Sequence, residues 1–225
     1  WPMAKWVFDF GQNMVGCVRL KVSGEAGQTV KLRFAEVLKP DGSIYTENLR
    51  SARQTDVYTL RGGGEESYEP RFTFHGFRYV EISEFPGKVT EDMLTGVVIH
   101  SDMPPTGAFE CSDPLVNQLQ HNIQWSQRGS FIDIPMDCPA RADRLGRTGN
   151  AQAFVRTAAF NMDVAAFFGK WLVDLTDAQA ADGTLPPMAP APPSLALLQR
   201  DGGPAWSDAI VICPRTVYRC CPDRR

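Results

Sequence analysis

No stretch of the sequence approaches the roughly 20 consecutive apolar residues that a membrane-spanning helix needs, which excludes such a helix. Basic charge is not in excess either: 23 Lys and Arg residues are interspersed with 26 Asp and Glu, for a formal net charge of −3. Nucleic-acid binding draws on clustered cations that neutralise phosphate, so no nucleic-acid partner is expected. Cysteine is sparse, six in 225 residues, well below the density of a disulfide scaffold. No CxxC pair occurs, and His75, His100 and His121 lie far from the cysteines in sequence. Neither a metal site nor a cofactor is therefore expected, and the thiols are read as reduced and partly buried. The chain opens on Trp1 with no secretion signal, so it is expected to be processed or to start partway through a longer chain. Localisation stays open between cytoplasmic and secreted.

What is present is an ordinary globular composition, 43% apolar and 22% charged, long enough for one large domain or two modest ones. Residues 1–105 read as β structure. Thr29 to Glu36 alternates its side chains so that one face meets a core and the other water. Similar short runs occur at Trp6–Phe10, Val15–Val22, Asp56–Leu60, Phe77–Ile82 and Leu94–Ile99. Turn signals separate them: Gly24, Pro40-Asp41-Gly42, Gly62-Gly63-Gly64 and Pro86-Gly87. Short strands without a long helical pattern predict an antiparallel β-sandwich.

After Pro104-Pro105 the period changes to that of a helix. Ser112-Asp113-Pro114 combines a capping side chain with a proline where no N–H is needed, and Val116, Leu119 and Ile123 then share one face. A clearer helix starts at Asp163, where Val164, Phe167, Phe168, Trp171, Leu172 and Leu175 form an apolar stripe ending near Asp182-Gly183. The stretch from Pro186 to Pro193 cannot be helical throughout, and a short helix is predicted from Ser207 or Asp208. About four helices are expected over residues 106–225. Their apolar faces need partners this segment scarcely supplies, so the second domain is read as incomplete, and the tail from Cys220 to Arg225 as a chain cut off.

Chemistry concentrates between two helices, from Asp133 to Asn150. Three carboxylates and three arginines stand there among Pro and Gly punctuation, and loops on rigid scaffolds commonly carry sites. Glycoside hydrolysis needs a carboxylic acid at the leaving oxygen and a second carboxylate across the sugar. Asp137 and Asp143 can serve such a surface, and Arg141 and Arg144 can fix a carboxylate or bind hydroxyls. The same residues also suit turns, helix caps and solvated ion pairs, and spacing alone does not decide between these.

The quoted residues resemble those of glycoside hydrolase family 78, the bacterial α-L-rhamnosidases. Phe8-Asp9-Phe10-Gly11-Gln12-Asn13-Met14-Val15-Gly16 and Arg71-Phe72-Thr73-Phe74-His75-Gly76-Phe77-Arg78-Tyr79-Val80 resemble two signatures of that family's β domain. The loop from Asp137 to Gln152 resembles its catalytic stretch, usually DCPQRxERLGWTGDAQ, and Trp206-Ser207-Asp208-Ala209 a later pocket segment. The resemblance implies a β-sandwich followed by the N-terminal part of an (α/α)6 barrel of six helical hairpins. It also implies inverting hydrolysis of terminal α-L-rhamnose from a rhamnose-containing glycoside or oligosaccharide. Asp143 falls on the general acid and Asp137 on a carboxylate that binds rhamnose hydroxyls. Arg141 matches the motif arginine, Asn150 an acidic pocket position, and Trp206 a pocket aromatic. No cofactor is implied, and a homodimer of the longer parent is allowed.

The departures are specific. Asp143 is one methylene shorter than the usual Glu, and misplacement by about 1 Å can cost on the order of a hundredfold in rate. Asn150 keeps an acceptor but loses a charge, Arg147 replaces a Trp, and Ala140 and Ala142 replace polar residues. Cys17 and Arg215 also stand where Trp is common. The family's general base is a Glu later in the barrel than these residues reach. Residues 1–225 alone are accordingly expected to show no measurable turnover of an aryl α-L-rhamnoside, and robust turnover would overturn that expectation. Two other readings stand beside this one: a non-catalytic carbohydrate-binding or structural remnant, and a six-hairpin glycosidase acting on another sugar. Gly62-Gly63-Gly64 reads as a hairpin turn, His75 as a packed or domain-interface residue, and Glu36 and Glu47 as solvated.

Overall fold

The computed structural model describes residues 5–85, 87–192 and 203–221. Trp1, Pro86 of the expected turn, Pro193 and the last four residues of the tail lie outside them. The chain divides into two compact units, residues 1–99 with 138–142, and residues 100–137 with 143–225.

The first unit is built on one antiparallel six-stranded sheet in the order β3-β2-β5-β1-β4, with β6 also paired to β1. Its strands are β1 (Trp6–Gly24), β2 (Thr29–Ala35), β3 (Thr55–Thr59), β4 (Gly64–Tyr68), β5 (His75–Ser83) and β6 (Leu94–Val98). The two expected runs at the N-terminus are one 19-residue strand. Its register against β5 slips between Asp9 and Met14, where Gly11 takes φ +72° and donates its N–H to Asp9 Oδ1 at 2.8 Å. A bulge of this kind bends a strand and sharpens its twist. Beyond it β1 exchanges partners, pairing Gly16–Leu20 with β6 and Leu20–Gly24 with β4. The layers of the expected sandwich are thus parts of one curled sheet joined through β1. At the crossing, a Cβ on Gly16 would stand 1.9 Å from the Val97 carbonyl oxygen, so only glycine fits.

Alternation buries Val30, Leu32 and Phe34 of β2 against Phe77, Val80 and Ile82 of β5 and Val18 and Leu20 of β1. His75 lies inside this core. It stacks on Phe34 with centroids 4.1 Å apart, and its ring nitrogens contact Gln54 Oε1 at 2.5 Å and Asp56 Oδ1 at 2.9 Å. The packed role read for His75 is the one observed. Glu36 accepts from Asn13 and Glu47 pairs with Lys39, both at the surface.

The second unit holds α1 (Pro114–Ser130), a two-rung hairpin of β7 (Phe131–Ile132) and β8 (Ile134–Pro135), α2 (Thr148–Asn161), α3 (Ala165–Asp177) and α4 (Ala209–Cys220). Asp113 caps α1 as expected, accepting the Leu115 N–H at 2.8 Å ahead of Pro114. The Val116 and Leu119 face of that helix stays exposed among the described residues. Buried and half-buried amides tie α1 to α2 instead: Gln120 donates to Asn161 at 2.9 Å, Asn161 to Gln127 at 3.2 Å, and Gln127 to the Ala158 carbonyl at 3.2 Å. Such partners offset the cost of burying amides. The stripe expected from Asp163 forms α3 and the core. Phe131 stacks on Phe167 at 4.5 Å, and Phe168 meets Phe131 and Trp171 edge-on at 5.8 and 5.9 Å. All six cysteines are free; burial pushes the Cys213 thiol up to about 12, which makes it inert as a nucleophile.

Candidate active site

The hairpin delivers the chain into the loop, and three non-glycine residues there adopt the left-handed region: Asp133 (φ 64°), Cys138 (φ 41°) and Arg144 (φ 52°). Each such residue costs about 1 kcal/mol or more and persists where its surroundings impose it, and such residues gather at functional sites. At Asp133 the imposing partners are visible: its backbone N–H donates to Ser101 Oγ at 2.9 Å, and Lys170 holds its carboxylate at 2.9 Å. Lys170 is also bound to Asp174 at 2.7 Å. Partial burial opposes its charge, but the two carboxylates outweigh it and hold the ammonium above the usual lysine range.

The far side of the loop is clamped. Ala189 donates its N–H to the Gly146 carbonyl at 2.9 Å, Thr148 donates both its N–H and its hydroxyl to the Pro187 carbonyl at 3.0 Å, and Arg147 bridges to Met188. Trp171, fully buried, braces the strip by donating its indole N–H to the Ala189 carbonyl at 2.9 Å. A Cβ on Gly146 would stand 2.2 Å from the Ala189 oxygen and 3.1 Å from the Trp171 nitrogen. Close approach of two backbones, rather than turn geometry, is what that glycine supplies.

Asp137 sits between these anchors, only 8% exposed. Its N–H donates to the Leu145 carbonyl at 3.0 Å, its Oδ1 accepts the Leu145 N–H at 2.8 Å, and its Oδ2 accepts Arg147 Nε at 2.6 Å. The arginine paired with this carboxylate is Arg147. Asp143, half-buried, brings a carboxylate oxygen within 4.8 Å of one on Asp137. Arg144 is partly buried, which lowers its guanidinium from the usual arginine range.

The remaining candidates are placed as follows. Asn150 is exposed on the first turn of α2. Trp206, 42% exposed, lies against the same turn, so close that a Cβ on Gly149 would stand 3.0 Å from its indole ring. Gln152 anchors the Trp206 segment by donating to the Ala205 carbonyl. Arg141 lies in the 138–142 stretch that groups with the β unit, in a turn closed by its N–H on the Cys138 carbonyl at 2.9 Å. In that unit Ala140 packs on Gly76, where an added Cβ would come within 2.9 Å. The helical unit thus brings together Asp137 and Asp143 on one loop, and Trp206 and Asn150 at one helix start. Two features escaped sequence reasoning, the Arg147 pairing and the Gly146 clamp. Gly146 and Gly149 flanking Arg147-Thr148 are the one signal that a neighbouring segment comes close.

Residues 1–100 match the family model described as the bacterial alpha-L-rhamnosidase concanavalin-like domain, and residues 104–225 the bacterial alpha-L-rhamnosidase 6 hairpin glycosidase domain. An alpha-L-rhamnosidase of Streptomyces avermitilis is 55% identical over 220 residues, 98% of this chain and 21% of that protein. One of Formosa agariphila is 44% identical over 214 residues, 94% of this chain and 23% of the relative. Among solved structures, the Streptomyces avermitilis enzyme complexed with L-rhamnose matches with a TM-score of 0.90 at 54% identity, covering 96% of this chain and 21% of that one. The Dictyoglomus thermophilum alpha-L-rhamnosidase matches with the same TM-score of 0.90 at 40% identity, covering 96% of this chain and 25% of that one. The chain spans only about a fifth to a quarter of the length of these relatives.

Proposed function

The chain belongs to the bacterial α-L-rhamnosidase family, and on that footing we propose that its 133–150 loop and Trp206 form part of a site that cleaves terminal α-L-rhamnose with inversion. In this reading Asp143 is the general acid that protonates the departing glycosidic oxygen. Asp137 holds rhamnose hydroxyls, Trp206 packs on the apolar face and methyl group of the deoxysugar, and Asn150 and Arg141 contribute polar contacts.

The observation that carries this is a buried carboxylate, Asp137, with both oxygens hydrogen-bonded, beside a second carboxylate, Asp143. An inverting pair stands roughly 6.5–9.5 Å apart, leaving room for the attacking water. Oxygens of Asp137 and Asp143 within 4.8 Å leave none, so Asp137 is not the base that activates water. A carboxylate held this way has further lone pairs for hydroxyl donors, which is a binding role. The base must come from another carboxylate.

Ligand-observed NMR with L-rhamnose tests the assignment on the chain itself. Binding is expected, with affinity lowered about two- to tenfold by Trp206→Ala through loss of ring contact, and more by Asp137→Asn. A chain that shows no interaction with the sugar, or one whose binding ignores both substitutions, would remove this reading. Binding that persists while a chimera, with residues 104–225 in place of the matching Streptomyces avermitilis segment, fails to turn over substrate would favour a carbohydrate-binding role.

A further inference from the structure

The bonded state of Asp137 assigns a role to Arg147 that the motif does not. We propose that Arg147 is a positioning residue, which sets the orientation of the Asp137 carboxylate and thereby the affinity of the site for its sugar; this rests on the reading above. Three observations support it. The bond from Arg147 Nε to Oδ2 is short, 2.6 Å, as expected for a charge-assisted contact, and the carboxylate it reaches is only 8% exposed. Arg147 itself is mounted rigidly, because its neighbours Gly146 and Thr148 are both hydrogen-bonded to the 187–189 strip and its own N–H donates to the Leu145 carbonyl at 2.9 Å. The second carboxylate oxygen is taken by the Leu145 N–H at 2.8 Å.

With both oxygens accepting hydrogen bonds, the carboxylate is fixed in rotation about its Cβ–Cγ bond. Its unused lone pairs are then held in one direction for hydroxyl donors. Only Nε of Arg147 is engaged with Asp137, and the side chain is 32% exposed, so the guanidinium also offers N–H groups to a hydroxyl beside those Asp137 accepts. A rigid donor–acceptor pair of this kind reads vicinal hydroxyls, one as acceptor and the other as donor.

Amide hydrogen exchange at Leu145 reports the carboxylate's placement without any sugar, while NMR titration with L-rhamnose reports its consequence. Arg147→Met keeps the aliphatic stem and removes the charge; Arg147→Lys returns a cation. The expected result is that Arg147→Met accelerates Leu145 exchange and weakens L-rhamnose binding about tenfold or more, that Arg147→Lys restores most of both, and that Arg147→Met has little further effect on affinity in an Asp137→Asn background. Unchanged Leu145 protection in Arg147→Met, or equal loss in Arg147→Met and Arg147→Lys, overturns the inference while the site reading stands. A wild-type chain that binds no L-rhamnose overturns the site reading and this inference with it.

Discussion

Asp143→Asn, carried in the chimera with the Streptomyces avermitilis enzyme, is expected to cut turnover of an alkyl α-L-rhamnoside by about 10²–10⁴-fold, the range that a positioned proton donor contributes. Asn matches Asp in shape and keeps an oxygen near Asp137, so the change removes the transferable proton and little else. The effect should depend on the leaving group. A nitrophenyl rhamnoside departs as a stable anion that needs no proton, and its turnover should fall far less. Affinity for L-rhamnose, which has no bond to cleave, should stay within a few-fold. Equal losses on both glycosides would mean that Asp143 acts by binding or structure. Asp143→Glu carries a second expectation, since it restores the reach of the longer acid: turnover should rise if one methylene limits this loop.

Gly146→Ala is expected to be the most damaging single substitution in the helical unit for its size. The new methyl would have to stand 2.2 Å from the Ala189 oxygen, and that oxygen cannot retreat without breaking its bond to the buried Trp171 indole. Overpacking of this kind costs about 1–3 kcal/mol and occasionally more, and here the strain falls on the segment that carries Leu145 and Arg147. Thermal denaturation should show the loss, and Leu145 exchange should accelerate with it. Gly169→Ala is the control. That glycine is exposed in α3 with nothing within 4 Å of its added Cβ, so alanine should raise helix stability by about 0.5–1 kcal/mol. Two Gly→Ala changes in one unit thus move stability in opposite directions. If Gly146→Ala left the melting temperature unchanged, the clamp would not constrain the loop.

The parts of this architecture that were legible in the sequence are those with a strong local period. The alternation of Thr29 to Glu36 became β2, and the three- and four-residue spacing after Asp163 became α3 and the aromatic core. Other parts were decided by distant partners. β4, Gly-Glu-Glu-Ser-Tyr, has a composition poor for strands, and it extends because its residues pair with Leu20–Gly24 of β1. Trp6–Phe10 and Val15–Val22 read as two separate runs, whereas in the fold they belong to one strand whose register slips between Asp9 and Met14. In the site, the carboxylates were legible from residue type and motif, but the pairing of Asp137 with Arg147 was not. They stand ten positions apart in irregular backbone, and the closure of the loop on Leu145 and the 187–189 strip brings them together.

The 138–142 stretch, counted with the β unit through the seating of Ala140 on Gly76, bears on how the molecule is made. During synthesis the strands leave the ribosome well before residue 140 does. The surface around Gly76 stays uncovered through that interval, and the β unit is finished only by a segment translated some forty residues after β6 has emerged. The order of emergence therefore makes the central stretch of the loop a late addition to a sheet whose strands have all been translated, while Asp137 and Asp143 precede α2, α3 and α4.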